Sequence, residues 1–216
     1  MTMKVIVAGG SGLVGSELLR VLEAEPKITK IISLTRRPVG NTSAKIVEEV
    51  VDFENLPSEI FKDAGAIFCC LGTTIKKAGS KAAFEKVDFE YPLNMALKAK
   101  KAGVNNYLLV SSMGANINSG IFYSKVKGKI EKAISDSGIP NVAIFRPSLL
   151  LGDRKEFRLG EKISAVLMTF FNPIIPKKYR GIHVNTVANA MLKTLLSGKK
   201  GINIFESDQI QLLTTT

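Results

Sequence analysis

The stretch VIVAGGSGLVGSELLRVL near the N-terminus constrains the fold of this chain more than any other part of its sequence. An apolar run is followed by three glycines spaced three residues apart, Gly9, Gly12 and Gly15, and then by leucines at helical spacing. This pattern predicts a strand at Lys4–Ala8, a tight glycine turn, and a helix at Ser16–Ala24. The GxxGxxG spacing differs from the usual GxGxxG of dinucleotide-binding loops, so its interpretation depends on the rest of the chain.

After this first unit, the sequence alternates between short β-branched runs and longer amphipathic segments. Helices are predicted at Asp88–Ala102 and Tyr123–Ser135. Further strands are predicted at Ile31–Leu34, Ile46–Val51, Ala66–Leu71, Asn106–Ser112, Asn141–Ser148 and Ile202–Ser207. Strands that alternate with helices are joined by right-handed crossovers into a parallel sheet. We therefore expect an α/β fold, a Rossmann-type doubly wound parallel sheet in a single domain over residues 1–216. A small C-terminal substrate-binding part is expected at about residues 150–185.

The charge of the chain is strongly positive, because 30 lysines and arginines stand against 19 acidic residues and give a formal net charge of +11. Such an excess can attract nucleic acid, an anionic membrane or a phosphorylated small molecule. The sequence has no recognisable nucleic-acid recognition module and no clustered aromatic platform, so we expect no nucleic-acid binding. Its longest later apolar stretch, ISAVLMTFFNPIIP, is too short to span a bilayer and is broken by Pro173, which argues against integral membrane association. No metal site is predicted.

Cysteine usage indicates a reducing compartment. The two cysteines, Cys69 and Cys70, are neighbours in an apolar run that predicts a strand, so their side chains point to opposite faces. That arrangement is poorly suited to an unstrained disulfide, and two buried thiols favour a cytoplasmic protein. The apolar run at the start is interrupted at once by the glycine turn, so it does not fit a secretory signal.

Ligands of open parallel sheets bind outside the carboxyl ends of the strands, which is where the glycine turn is expected. Gly9 would allow the tight turn, Gly12 would let backbone N–H groups approach a pyrophosphate, and Gly15 would let the helix pack closely on the sheet. The helix N-terminus adds a partial positive charge. The predicted pyrophosphate contacts are Gly9, Ser11, Gly12, Leu13, Val14 and Gly15. The alternative is a structural turn that holds no ligand.

The end of the second predicted strand discriminates between the two nicotinamide cofactors. An NAD site places Asp or Glu there to hold the ribose 2′-hydroxyl. This chain has SLTRRP instead, with Arg36 and Arg37 and no acidic residue nearby. Guanidinium groups match a phosphate monoester in charge and geometry, so we expect NADP(H) as the cofactor. Arg36 is the expected main contact because it comes first after the strand, and two solvent-exposed arginines without a ligand are the alternative.

Two further strand ends supply candidate cofactor contacts. Asp52 and Phe53 follow the third predicted strand and could contact the adenine through a carboxylate and an apolar side chain. The fourth strand ends in CCLGTT, where a glycine lets the backbone run close to the cofactor and Thr73 or Thr74 could reach ribose or phosphate. The contacts assigned to this second end are Leu71, Gly72 and Thr73. A glycine turn without a ligand is an equally open alternative for it.

The helix after the fifth predicted strand carries a candidate proton-transfer pair. Tyr123 and Lys127, in YSKVKG, are four residues apart and therefore adjacent on one helix face. A nearby ammonium favours the phenolate form of a tyrosine, so the pair can protonate a carbonyl oxygen or remove an alcohol proton, and Lys127 could also hold the nicotinamide ribose. Ser111 and Ser112 end the preceding strand, where either hydroxyl could fix the substrate carbonyl, with Ser112 favoured because it is the outermost. A surface tyrosine and lysine on an ordinary helix are the alternative.

Together these motifs resemble a known family. GGSGLVG, the serine pair, the YxxxK motif and RPS at 146–148 are similar to a short-chain dehydrogenase/reductase of the extended or atypical kind. More narrowly, the segments CCLGTTIKKAGS, VDFEYPLNMALKAKKAG, YSKVKGKIE, FRPSLLLGDR and IIPKKYRGIHVNTVANAM resemble the Tat-interacting oxidoreductase-like proteins. The resemblance implies an NADP(H)-binding Rossmann domain with a Ser-Tyr-Lys constellation formed by one of the two serines, Tyr123 and Lys127. It also implies that Pro147 and Ser148 lie near the nicotinamide.

Several positions keep more than one interpretation. No asparagine can be assigned to the proton relay of related enzymes, and Asp88 and Asn94 are candidates only by their position on a helix. Residues 154–180 could form a lid over an amphiphilic or anionic substrate, a dimer face or plain core. The only histidine, His183, is expected to be structural or to line the pocket, because the tyrosine and lysine already supply the chemistry.

We expect an NADP(H)-dependent oxidoreductase that transfers hydride to or from a small carbonyl compound or alcohol. The alternative from a different class is an NADP(H)-binding regulatory or sensor protein with little or no turnover. Both need the glycine loop and the arginines, but only the enzyme needs the phenolate. A homodimer is compatible with the sequence and is not specified by it.

Overall fold

A seven-stranded parallel sheet forms the centre of the molecule. The computed structural model describes residues 2–40, 43–152 and 176–215. The strands are β1 (Met3–Ala8), β2 (Ile28–Thr35), β3 (Ile46–Val50), β4 (Ala64–Cys69), β5 (Asn106–Val110), β6 (Asn141–Arg146), β7 (Leu150–Leu151), β8 (Ile182–His183) and β9 (Gly201–Glu206). The central sheet has the order β3-β2-β1-β4-β5-β6-β9, and β7 pairs with β8 separately. The predicted α/β Rossmann-type doubly wound sheet is confirmed.

Helices pack on both faces of the sheet. They are α1 (Leu13–Ala24), α2 (Ile75–Ala78), α3 (Lys81–Glu85), α4 (Tyr91–Lys101), α5 (Phe122–Ser135), α6 (Val184–Leu196) and α7 (Ser207–Thr215). A π-turn at Lys86–Glu90 joins α3 to α4, and 3-10 turns lie at Ser58–Phe61 and Lys177–Tyr179. Residues 153–175, which make up most of the expected C-terminal substrate-binding part, lie outside the described residues.

Two apolar layers, one on each face of the sheet, hold the fold together. Alternate residues of a strand point to opposite faces, so Val5 and Val7 of β1 pack in one layer with Leu18 of α1. Ile6 packs in the other layer with Met95 of α4. All five side chains are fully buried. Burial on both faces explains why β1 is apolar at every position instead of alternating.

The first helix begins three residues earlier than its apolar pattern predicts, at Leu13. Gly12 is its N-cap residue, and Gly15 lies in its first turn. Because glycine is a poor helix former, the pattern placed the helix start after the last glycine. The structure shows that the glycines belong to the helix start itself, which brings the first helical N–H groups to the carboxyl edge of β1.

The helix expected over Asp88–Ala102 is divided in the structure. Lys86–Glu90 form a π-turn, in which the N–H of Tyr91 bonds five residues back, and α4 starts at Tyr91. Pro92 follows at once, and a proline has no N–H to donate and clashes with the carbonyl four residues before it. A continuous α-helix through Asp88 is therefore disfavoured, and the extra residue of the π-turn sets the direction of the Asp88 side chain.

Candidate active site

The glycine turn between β1 and α1 lies directly against the end of β4. The N–H of Cys70 donates to the carbonyl of Ala8 at 2.8 Å and joins the two strand ends. Gly9 has a φ of +85°, and a Cβ on it would come within 2.5 Å of the Cys70 carbonyl oxygen. A Cβ on Gly15 would come within 2.1 Å of the Gly9 carbonyl oxygen. Side chains are excluded at both positions, so the turn presents backbone at the carboxyl edge of the sheet.

The start of α1 offers backbone N–H groups without a side-chain cap. Gly12 makes no side-chain capping bond, and the first turn contains no acidic residue. The N–H groups of Leu13 and Val14 are orphans of the helix start, where N–H groups and a partial positive charge together bind anions. Ser11 is exposed beside them. This backbone cradle suits the pyrophosphate of a dinucleotide, and the predicted contacts with it stay a prediction.

The end of β2 presents two guanidinium groups beside a buried hydroxyl. Arg36 and Arg37 directly follow Thr35, the last residue of β2. Both arginines are exposed, and neither forms an ion pair with another described residue. The Oγ1 atom of Thr35 is buried and has no hydrogen-bond partner in the described part of the chain. Sequence reasoning missed this hydroxyl, although its position immediately before the two arginines was the available signal.

The predicted adenine contacts behave differently from each other. Asp52 is exposed, and its carboxylate accepts hydrogen bonds from the N–H of Glu54 at 2.9 Å and from Asn55 Nδ2 at 2.8 Å. These bonds, the backbone one first, lower the pKa of Asp52. Phe53 is only 3% exposed, and its ring stacks on Tyr91 with centroids 5.5 Å apart. The Phe53 side chain therefore packs in the core, and its expected contact with adenine stays a prediction.

A buried ion pair lies beside the loop that follows β4. Lys127 Nζ on α5 is 2.7 Å from Asp88 Oδ1 on the π-turn, and both residues are buried. The N–H of Thr73 donates to Asp88 Oδ2 at 2.9 Å. A Cβ on Gly72 would lie 3.6 Å from Asp88 Oδ1 and 3.9 Å from Lys127 Nζ, so the loop backbone passes next to the pair. Leu71, just before it, is partly buried against the core.

The charge of Lys127 is maintained by its neighbours. Burial acts to lower the pKa of Lys127, because it penalises the charged form. The Asp88 carboxylate raises the pKa of Lys127, and Tyr123 and Cys69 raise it to a smaller extent. These effects outweigh burial, so the pKa of Lys127 is raised from its ordinary value. Lys127 is thus an ammonium at neutral pH. Of the two candidates for the relay position, Asp88 is the one that contacts the lysine.

Tyr123 lies one helical turn before Lys127 on α5 and is half-buried. Its ring packs on Phe84 of α3 with centroids 5.6 Å apart, and Phe84 also contacts Phe122 at 5.8 Å. Phe84 is fully buried, so these contacts anchor the first turn of α5 on α3. The tyrosine and the lysine are therefore held by separate contacts on one helix, the ring by an aromatic cluster and the ammonium by a carboxylate.

The two serines that follow β5 have different surroundings. Ser111 Oγ donates to Glu131 Oε1 at 2.5 Å, and Glu131 also pairs with Arg146 at 2.5 Å. Ser111 and Glu131 are both buried. Ser112 Oγ is buried as well, but it has no hydrogen-bond partner among the residues that the structure describes. An unpaired buried hydroxyl costs free energy, so the hydroxyl of Ser112 has an unmet need for a hydrogen bond, whereas the hydroxyl of Ser111 is engaged beneath α5. Which serine contacts a substrate stays a prediction.

The loop after Ser112 is fixed at both ends. The N–H of Met113 donates to the carbonyl of Pro147 at 3.0 Å, and the N–H of Asn116 donates to the carbonyl of Ser124 at 3.0 Å. A Cβ on Gly128 of α5 would come within 2.4 Å of the Asn116 carbonyl carbon, so the loop lies directly on the helix at this point. Sequence reasoning missed Gly128, although an isolated glycine inside a helical pattern is a signal of close packing.

The residues after β6 contact protein groups in the structure. Pro147 accepts the hydrogen bond from Met113 described above. Ser148 Oγ donates to the carbonyl of Arg180 and lies 2.9 Å from Ser207 Oγ. The side chain of Ser148 therefore holds the segment before β8 against the start of α7. The proximity of Pro147 and Ser148 to the nicotinamide, implied by the family resemblance, stays a prediction.

Other site types find no support in the described residues. In these ranges, no group of three or more His, Cys, Asp or Glu side chains could hold a metal ion. No helix among the described elements is long and apolar enough to cross a membrane. Cys69 and Cys70 are free thiols, and burial raises the pKa of both. His183 is exposed and forms the N-cap of α6 without a side-chain capping bond.

Comparisons with known proteins agree with this geometry. Residues 4–89 match the family model described as the NAD binding domain of semialdehyde dehydrogenase. Protein HTATIP2 of Rattus norvegicus is 35% identical over 204 residues, which cover 91% of this chain and 83% of the rat protein. Protein FMP52-1, mitochondrial, of Scheffersomyces stipitis is 39% identical over 205 residues, covering 88% of this chain and 91% of the yeast protein. Among solved structures, MoeE5 in complex with UDP-glucose and NAD has the same fold, with a TM-score of 0.74 at 16% identity over 94% of this chain and 75% of MoeE5.

Proposed function

Because the chain belongs to the family of protein HTATIP2 and the FMP52 proteins, we propose that it is an NADP(H)-dependent oxidoreductase of the atypical short-chain dehydrogenase/reductase type. Its substrate is a small carbonyl compound or alcohol. The observation that carries the proposal is the buried hydroxyl of Ser112, which has no partner among the described residues. Ser112 comes just after β5, so it lies at the same carboxyl edge of the sheet as the glycine cradle after β1. Tyr123 and the fixed ammonium of Lys127 supply the matching proton chemistry on α5.

The chain's own residues divide the work of the reaction. When bound, NADP(H) supplies hydride exchange at its nicotinamide ring. The Ser112 hydroxyl donates a hydrogen bond to the substrate oxygen and orients it. Tyr123 exchanges a proton between its phenolic oxygen and that substrate oxygen, giving it during reduction and taking it during oxidation. Lys127 keeps a positive charge beside the phenol and is held by Asp88.

The proposed preference for NADP(H) over NAD(H) is supported by the end of β2. Two exposed guanidinium groups and one unpartnered hydroxyl, from Arg36, Arg37 and Thr35, follow one another at that strand end. Guanidinium groups bind phosphate through charge-assisted and paired hydrogen bonds, and a hydroxyl adds a further donor. The ribose 2′-phosphate that distinguishes NADP(H) is the group that these donors suit.

Calorimetric titration with NADPH and NADH tests this preference. We expect NADPH to bind more tightly, and Arg36→Ser/Arg37→Ser to weaken NADPH binding by roughly 10- to 100-fold, since a hydrogen bond to a charged group contributes about 1.5–3 kcal/mol. NADH binding should stay unchanged in this variant. Arg20→Ser is a matched control, because Arg20 is exposed on α1 and pairs with Glu17. Equal affinity of the wild type for both cofactors contradicts the preference.

Turnover is tested separately, by NADPH oxidation with a panel of aldehydes and ketones. The wild type should consume NADPH with at least one of them, and Tyr123→Phe should lower kcat by about 10²- to 10⁴-fold, because the proton donor is lost. A rate that does not change in Tyr123→Phe contradicts the mechanism. Cofactor binding with no turnover over the whole panel favours the regulatory alternative instead.

A cytoplasmic location is proposed as well. It is supported by two free thiols, the buried Cys69 and the partly buried Cys70, which suit a reducing compartment. The Scheffersomyces stipitis relative is named as mitochondrial, so cell fractionation with antibodies against this chain is the deciding measurement. Recovery in the mitochondrial fraction contradicts the proposal.

A further inference from the structure

The ion pair between Lys127 and Asp88 gives the site a balanced charge. Both side chains are removed from water, at 6% and 0% exposure, and their charged atoms are 2.7 Å apart. The titratable groups that face Lys127 are Asp88 on the π-turn, Tyr123 on its own helix and Cys69 on β4. Burial raises the pKa of the Cys69 thiol, so Cys69 is neutral at neutral pH. The Asp88 carboxylate therefore neutralises the ammonium.

The balance matters because the two states of a nicotinamide cofactor differ by one charge. The nicotinamide ring is cationic when oxidised and neutral when reduced. A buried ammonium with no counter-charge repels the oxidised ring and leaves the reduced ring unaffected. The loop at Gly72 and Thr73, which is a candidate cofactor contact, passes within van der Waals distance of the pair, so the charge of Lys127 acts on whatever that loop binds.

We infer that Asp88 is a positioning residue that neutralises Lys127 and thereby lets the site hold the oxidised cofactor nearly as well as the reduced one. The inference rests on the proposed function, because it requires a nicotinamide cofactor beside the loop after β4. Asp88 touches neither reacting atom, and it acts through Lys127 and through the N–H of Thr73.

The size of the effect follows from Coulomb's law. Two unit charges about 10 Å apart in a medium of effective dielectric constant near 20 interact strongly enough to change a dissociation constant roughly tenfold. Removing the charge of Asp88 should therefore raise the ratio of the NADP⁺ to the NADPH dissociation constant by about that factor. The ratio isolates the ring charge, because both cofactors share the same phosphates and adenosine.

The experiment is calorimetric titration of the full chain with NADP⁺ and with NADPH at pH 6.5. Asp88→Asn keeps the shape of the side chain and an acceptor for the N–H of Thr73, and we expect the ratio to rise about tenfold. Asp88→Asn/Lys127→Met removes both charges and should return the ratio to the wild-type value. Glu85→Gln is the matched control, because Glu85 pairs at 2.9 Å with the more exposed Lys129, and its ratio should not change.

Every outcome decides the inference. Burial without the Asp88 carboxylate lowers the pKa of Lys127, so an NMR titration of its side chain in Asp88→Asn shows whether the lysine is still an ammonium at pH 6.5. An unchanged ratio overturns the inference whether Lys127 has stayed charged or has become neutral, because no bare charge then acts on the oxidised ring. A raised ratio that persists in the double variant also overturns it, because the effect then does not pass through the charge of Lys127. If Asp88→Asn fails to fold, two other variants still test the inference. The double variant should keep the wild-type ratio, and Lys127→Met should lower the ratio, because the carboxylate of Asp88 remains without its partner. If the wild type binds neither cofactor, the proposed function fails, and an NMR titration of the Lys127 side chain then shows whether Asp88 still maintains its charge.

Discussion

Gly128 is the position at which one added methyl group tests how Ser112 is held. A Cβ there would lie 2.3 Å from the backbone nitrogen of Ile117 and 2.4 Å from the carbonyl carbon of Asn116, both in the loop that follows Ser112. Ordinary contacts of a Cβ atom begin at 3.4 Å, so in Gly128→Ala the loop has to move by roughly 1 Å. A shift of about 1 Å in a reacting group can lower a rate on the order of 10²-fold.

The stability change in Gly128→Ala should be much smaller than the change in rate. Alanine is favoured over glycine inside a helix by about 1 kcal/mol, and overpacking costs about 1–3 kcal/mol. The two effects oppose each other, so the free energy of unfolding should fall by no more than about 2 kcal/mol. Urea unfolding measures this quantity directly.

The assay compares kcat for NADPH oxidation with the NADPH dissociation constant. We expect kcat to fall about 100-fold in Gly128→Ala, whereas the dissociation constant stays near the wild-type value because the glycine cradle and the end of β2 lie in the other half of the sheet. Lys132→Ala is the control, since Lys132 is exposed on the same helix and pairs only with Asp136 among the described residues. A normal kcat in a folded Gly128→Ala protein refutes the argument that this contact positions Ser112.

Two further expectations concern the serines and the buried ion pair. Ser112→Ala should lower kcat without loss of stability, because its hydroxyl has no partner in the described ranges. Ser111→Ala should lower the free energy of unfolding by about 1.5–3 kcal/mol, because it removes the donor to Glu131. Urea unfolding of both variants distinguishes them, and wild-type stability in Ser111→Ala contradicts the assignment. Since the pKa of Lys127 is raised on folding, the stability from its charge is complete below the ordinary value of 10.5 and is lost as the pH rises through the folded pKa. The urea midpoint of the wild type should therefore fall relative to Asp88→Asn/Lys127→Met above about pH 10.5, and parallel curves would contradict this.

The part of the site that lies on one element could be predicted from the sequence. The position of Tyr123 one turn before Lys127 on one helix follows from the helical period. The glycine turn is predicted because it comes directly after a strand that is apolar throughout. For the strands and helices that the sequence predicts, the observed bounds differ by no more than three residues, whereas α2, α3, α6, α7, β7 and β8 are not predicted. These features depend on neighbours in the chain, and local patterns describe such neighbours well.

Features that depend on side-chain direction at the end of a strand could not be predicted. Beyond the last residue of a strand, alternation no longer determines which face a side chain takes. The sequence therefore favours Ser112 over Ser111 only by its outermost position, and it reveals neither the bond of Ser111 to Glu131 nor the burial of Phe53. The partnership of Asp88 with Lys127 joins two segments far apart in the sequence, and the direction of Asp88 depends on a π-turn that no apolar period reveals.

The π-turn makes the electrostatics of this protein depend on the number of residues in one short segment. Each residue advances an α-helix by about 100°, so deleting one position from Lys86–Glu90 would restore α-helical phase and rotate Asp88 by that angle relative to α4. The lysine would then lose its counter-charge with no substitution at either charged position. Within such a family, the number of residues between Ser80 and Pro92 would separate members whose buried lysine has a carboxylate partner from members whose lysine has none.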